Sequence, residues 1–232
     1  MAGKHEPSPN APRQSQIMST RKTPRRYGLF LREALRSVRS VASLVPSSGP
    51  LCQAMLANID FAAARTIVEL GPGTGAVTEE ILARMRPDAR IYAVEINPVF
   101  AGHIRRTFND RRLVVIEGSA THLFHHSGLR PGSVNAVVSS LGLSCMPERT
   151  RMDILHQAQR CLVEGGVLNQ YQYLAASLSC SVRGLLACFF DRVESSRVLR
   201  NCPPATVFRC SRRLSIQLAA TWTAVREESL RR

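Results

Sequence analysis

No apolar run in this 232-residue chain approaches the roughly 18–20 residues that a membrane-crossing helix requires. The first 28 residues carry basic groups but no apolar core, so a secretory leader is not expected. Cysteine is odd in number, at positions 52, 145, 161, 180, 188, 202 and 210, and no pair has C-x-x-C spacing. That pattern argues against a disulfide framework or a zinc site, and for a reducing compartment. His125-His126 has no companions at ligand spacing, so a solvated loop is expected there and no metal. Lysine is almost missing: Lys4 and Lys22 stand alone, and the positive charge is carried by arginine.

That charge is unevenly spread. Residues 1–45 hold nine Lys/Arg against two acids, residues 46–179 twelve against eleven, and residues 180–232 ten against four. A nearly neutral middle between basic ends implies an anionic partner, either nucleic acid or an acidic membrane surface. Residues 1–26 read as a disordered basic tail, rich in Pro, Ser, Asn and Gln over its first twenty positions. From Tyr27 to Val45 apolar residues recur at three-and-four spacing, including Phe30, Leu31 and Leu35. Arg32, Arg36 and Arg39 line the border of that stripe, with Arg25 and Arg26 just upstream. Periodicity alone leaves two uses open: a helix lying in the interface of an anionic membrane, or one packed on the domain that follows. Pro46 ends this helix, and a second is expected from Leu51 to about Ile59.

The central feature is Thr66-Ile-Val-Glu69-Leu-Gly71-Pro-Gly73-Thr74-Gly75, followed by Ala-Val-Thr-Glu-Glu-Ile-Leu. A short β-branched apolar run predicts a buried strand, three alternate glycines a tight turn, and the remainder a helix. Glycines let a ligand approach the backbone, and the helix beyond offers free N–H groups. A second strand, Ile91-Tyr-Ala-Val-Glu95, also ends in an acid, and an acid at such a strand end can hold both hydroxyls of a ribose. Two ligands remain possible on this spacing. A nicotinamide dinucleotide loop would want its third glycine at Ala76; the acid before the loop and the G-x-G-x-G spacing favour S-adenosylmethionine.

Further on, helices are expected over 98–108 and 151–162 and strands over 113–116 and 134–139. Glu164-Gly165-Gly166 reads as a turn into a strand over 167–173, and the segment from Phe189 to Arg209 as closing antiparallel strands. Residues 46–214 therefore form one α/β domain, with an extension over 215–232.

The glycine loop and its two acids resemble the class I S-adenosylmethionine-dependent methyltransferases. That resemblance implies a Rossmann-like α/β fold, with a mostly parallel seven-stranded sheet, helices on both faces and the N-terminal amphipathic helix added. It assigns S-adenosyl-L-methionine to Glu69, Gly71, Gly73, Thr74, Gly75, Glu95, Ser119, Ala120 and Ser139. Ser119 and Asn135 stand where the family commonly has acids, and uncharged acceptors there imply weaker cofactor binding.

A narrower resemblance joins Phe30-Leu31-Arg32-Glu33, Pro46-Ser47-Ser48, the glycine loop, the Ser139 loop, Gln172-Tyr173 and Arg200-Asn201-Cys-Pro203-Pro204-Ala. Together these are similar to the rhizobial-type bacterial phospholipid N-methyltransferases, over roughly residues 27–213. The likeness implies a monomeric cytoplasmic enzyme, peripherally bound to the inner face of the cytoplasmic membrane. It would methylate phosphatidylethanolamine toward phosphatidylcholine. The membrane contacts would be Arg25, Arg26, Phe30, Leu31, Arg32, Leu35, Arg36 and Arg39. From their side-chain chemistry, Tyr27 and Tyr173 could present ring faces to the methylated ammonium, and Arg200 or Arg209 could pair with the lipid phosphate. The chemistry would be in-line attack of a neutral amine on the sulfonium methyl group, with no general base assigned.

The loop also resembles that of the rRNA dimethyladenosine enzymes. Adenine N6 methyltransferases carry Asn/Asp-Pro-Pro-Tyr/Phe after the fourth strand. Here Ser140-Leu-Gly-Leu-Ser144 follows instead, which argues against a nucleobase acceptor. A membrane- or RNA-binding relative without catalysis is the third possibility.

Overall fold

A computed structural model describes residues 48–174 and 182–211. The basic tail, the predicted helix over 27–45 with Tyr27 and its arginines, and the extension from 215 lie outside the described residues.

The apolar run before the glycines forms strand β1, Thr66–Leu70, and the chain then alternates helix and strand. In order, the elements are helix α1 (Gly49–Leu56), β1, α2 (Ala76–Arg84), β2 (Arg90–Glu95), α3 (Pro98–Thr107) and β3 (Leu113–Glu117). There follow α4 (Leu123–Ser127), β4 (Val134–Ser139), α5 (Glu148–Cys161), β5 (Leu162–Tyr173), α6 (Val182–Ala187), β6 (Arg192–Val198) and β7 (Ala205–Ser211). One seven-stranded sheet results, in the order β3-β2-β1-β4-β5-β7-β6. Strands β1 to β5 pair in parallel, and β7 runs antiparallel between β5 and β6. The expected fold class is the one observed.

Strands buried on both faces read as near-continuous apolar runs, which is why Ile67-Val68, Ile91 and Ala136-Val137-Val138 could be placed. One core layer joins Leu51, Met55, Val77 and Ile81 of α1 and α2 to Ile67, Tyr171 and Val207. The other joins Leu123, Leu155, Ala158 and Leu186 of α4, α5 and α6 to Val68, Val137 and Leu168.

Helix α1 is held by polar side chains from the far half of the sheet. Asn169 Nδ2 donates to the Met55 carbonyl, and Arg209 Nη2 donates to the Ala54 carbonyl at 3.1 Å. These are last-turn carbonyls without a helical partner, and a guanidinium beside them also suits the negative end of the helix dipole. At the other end of α1, Ser48 N donates to Asn201 Oδ1 at 3.2 Å.

Three local expectations need correction. Glu164–Gly166 is not a turn before the strand but a bulge inside β5, with Gly165 at φ +71° and the register to β4 shifting across it. His125 and His126 are exposed on helix α4 rather than in a loop. Asn135 lies near the amino end of β4, across the sheet from the glycine loop, and its Oδ1 accepts from Arg65 N and Thr66 N, both at 3.0 Å. It fastens the start of β1, at the opposite end of the parallel strands from the glycine loop. Replacing Asn135 with alanine should cost about 1–2 kcal/mol in urea unfolding, one modest hydrogen bond for each N–H lost. Asn135→Asp should leave the dissociation constant for S-adenosylmethionine unchanged.

Candidate active site

Strand order reverses between β1 and β4, so α2 and α5 lie on opposite faces and a crevice opens at the carboxyl ends of the parallel strands. The glycine loop crosses it. Gly75 caps α2 at φ +87°, and a β-carbon there would lie 2.6 Å from Phe108 Cε2 and 2.7 Å from Ile104 Cδ1. Gly73, at φ +54°, has nothing within 4 Å of its missing β-carbon, so the crown of the loop is open to a ligand.

The two strand-end acids are built differently. Glu69 is 0% exposed; its Oε2 accepts from Thr78 Oγ1 at 2.7 Å, while Oε1 is buried without a hydrogen-bond partner. Burial pushes its carboxyl up to about 8, partly opposed by the Thr78 hydroxyl and reinforced by the charge of Glu95. Glu95 accepts from Gly73 N at 3.1 Å through Oε2 and from Asn97 N at 2.9 Å through Oε1. Burial raises its pKa too, against the backbone N–H groups of Asn97, Gly73 and Ile96. A carboxylate has about four lone-pair sites, so Glu95 keeps acceptor capacity for hydroxyls while fixing the loop crown.

The remaining candidate cofactor residues gather on the same edge. Ser119 caps a short 3-10 turn over Ala120–His122, accepting from Thr121 N at 3.3 Å and sharing a 2.8 Å bond with the Thr121 hydroxyl. Ala120, the first residue of that turn, is buried. Ser139 is buried and accepts from Leu141 N at 3.4 Å, which shapes the loop after β4. One further candidate was missed: Ile96, directly after Glu95, is 69% exposed, an apolar surface that would suit a flat ring. Its position after a strand-end acid was the available signal.

Beyond the loop, Ser140, Leu141, Gly142 and Ser144 enclose a cavity of about 20 Å³ with Tyr171, Gln172 and Tyr173 at the end of β5. Leu141 also packs on the loop: a β-carbon at Gly71 would sit 2.7 Å from its Cδ2. The cavity therefore adjoins the cofactor cradle. The rings of Tyr171 and Tyr173 meet edge to face at 5.3 Å, and both are buried. Burial pushes the Tyr171 hydroxyl above its ordinary value, reinforced by Tyr173. The two arginines expected at the lipid are not brought together. Arg209 lies mid-strand and holds Ala54, whereas Arg200 is exposed at the β6–β7 turn, beside Leu199 and Asn201. That turn stands at the same sheet end, because Val198 and Ala205 pair level with Tyr173 and Leu174 N donates to Pro204 O at 2.9 Å.

Residues 67–166 match the model of a methyltransferase domain family. Over 188 residues the chain is 32% identical to an ornithine lipid N-methyltransferase of Singulisphaera acidiphila, covering 79% of this chain and 95% of that protein. The chain is a class I S-adenosylmethionine-dependent methyltransferase. A ribosomal RNA small subunit methyltransferase A of Acidobacterium capsulatum is also 32% identical, over 108 residues, covering 46% of this chain and 37% of that enzyme. Among solved structures, a precorrin-6y C5,15-methyltransferase of Geobacter metallireducens shares the fold. Its TM-score is 0.56 at 20% identity, covering 70% of this chain and 87% of that one.

The residues of this methyltransferase fit its methyl donor. The unpartnered Glu69 Oε1 suits a cationic or donor group over the loop, the open Gly73 admits close approach, and Glu95 suits vicinal hydroxyls. Two outcomes follow. Gly73→Leu should remove calorimetrically detectable S-adenosylmethionine binding. Its stability loss should stay near the roughly 1–2 kcal/mol of a left-handed non-glycine residue. Glu69 gives a pH signature in the ligand-free protein. Between its ordinary value of 4.5 and about 8 the unfolded chain ionises this group while the folded chain keeps it neutral. Relative to Glu69→Gln, wild-type stability should therefore be fully present below 4.5 and decline as pH rises toward 8, read as a shrinking difference in Tm.

Proposed function

We propose that this methyltransferase transfers methyl groups to the primary amine of a membrane lipid at the membrane surface. The observation that carries this is the Ser48–Asn201 hydrogen bond. The chain enters the described fold at Ser48, directly after the basic amphipathic stretch, and does so against the turn that borders the acceptor end of the crevice. That turn carries Leu199, 69% exposed, and the exposed Arg200, an apolar and cationic pairing suited to an anionic lipid surface. The near full-length relative, named for ornithine lipid, supports an amine acceptor in lipid. The rRNA enzyme aligns over a minor part of its own length, and the loop from Ser140 to Ser144 offers neither an amide nor a ring to a base.

Bound S-adenosylmethionine supplies an electrophilic methyl on a sulfonium. Positioning and removal of water are then the main tasks left to the chain. The Ser140–Ser144 loop and the Tyr171–Tyr173 pair line a small, uncharged cavity of about 20 Å³ that would face the acceptor. Ring faces there suit an amine that becomes a methylated ammonium. Phosphatidylethanolamine and ornithine lipid share the required chemistry, a primary amine with an anionic group near it.

The test is transfer of labelled methyl to vesicles holding either lipid, with and without anionic lipid, beside unmodified rRNA. Label is expected in lipid, with dependence on anionic lipid, and Arg32, Arg36 and Arg39 reversed to glutamate should lose vesicle binding while staying folded. Label in rRNA alone would refute the proposal.

A further inference from the structure

Gln172 lies on β5 two residues beyond Gln170, the partner of Ser139 in the sheet; it is only 6% exposed and its Nε2 is buried without a hydrogen-bond partner. It lines the cavity beside Ser140 and Ser144, whose other wall, Leu141, packs against Gly71 of the cofactor loop. A buried amide donor without an acceptor is destabilising and rare in a folded chain, so an acceptor oxygen is expected to reach it. The nearby arginines do not serve this place, since Arg209 is committed to the Ala54 carbonyl and Arg200 is exposed on the turn.

We infer that Gln172 donates to the oxyanion neighbouring the amine in the lipid head group, a phosphate or a carboxylate. This rests on the lipid-amine function proposed above. An uncharged amide suits the position because it selects an acceptor oxygen without the desolvation that a buried guanidinium would suffer. Ser140 and Ser144 bring hydroxyls to the same lining, so the oxyanion meets several neutral donors rather than one cation. Gln172 thereby fixes where the amine stands relative to the cofactor cradle.

The test sets three acceptors in competition within one vesicle preparation: phosphatidylethanolamine, ornithine lipid, and oleylamine, a primary amine with no oxyanion. Ratios within one tube do not depend on how much of a variant folds. Gln172→Leu should lower transfer to the oxyanion-bearing lipids by about tenfold relative to oleylamine, the loss of one hydrogen bond to a charged group. Its affinity for S-adenosylmethionine should be unchanged. Gln172→Glu, which replaces the donor by a like charge, should lose at least as much, and Ser140→Ala should shift the ratio less but in the same direction. A loss confined to one lipid would support the inference and identify phosphate or carboxylate as the group bound. Unchanged ratios in Gln172→Leu, or full activity in Gln172→Glu, would overturn it while leaving the lipid-amine function standing. Wild-type protein that labels none of the three would sink that function and the Gln172 assignment with it.

Discussion

Strand β1 pairs in parallel with β2 on one side and β4 on the other, and the chemistry of the molecule depends on that arrangement. Because the chain leaves β1 toward one face and β4 toward the other, no connection covers their carboxyl ends. Everything that must meet is delivered to that gap: the glycine loop from β1, Glu95 from β2, Ser119 from the end of β3 and the Ser139 loop from β4. The hydrogen bond from Gly73 N to Glu95 then makes the loop crown and the second acid a single rigid piece.

Division of labour follows the sheet. Strands β1 to β4 carry the candidate cofactor residues, uncharged or buried, while β5, β7 and the turn between β6 and β7 frame the proposed acceptor side. The side-chain tethers of α1 described above come from the second half, although its apolar face also packs on α2 and Ile67. Cofactor recognition and acceptor presentation can thus vary separately, in keeping with relatives that differ in what they are named for.

Sequence made the cofactor half legible because its signals are local. A β-branched run, alternate glycines and a strand-end acid lie within ten residues, and each has one physical meaning. The acceptor half resisted because its contacts join distant residues. Nothing in the composition around Arg209 reveals that its guanidinium closes the end of α1, and the charge alone made it look like a phosphate ligand. Asn135 misled for the opposite reason: its place in a motif pattern was clear, but which end of β4 it occupied decided its role. The Glu164–Gly166 bulge was read as a turn because glycines mark both, and only register to β4 separates them.

The tethers of α1 also impose an order in time. Ser48 waits for Asn201, 153 positions later, and the Ala54 carbonyl for Arg209, 155 positions later. At a synthesis rate of about 5–20 residues per second, the anchors for α1 emerge roughly eight to thirty seconds after it does. Residues ahead of Ser48 are thus made well before the domain that secures their exit can close.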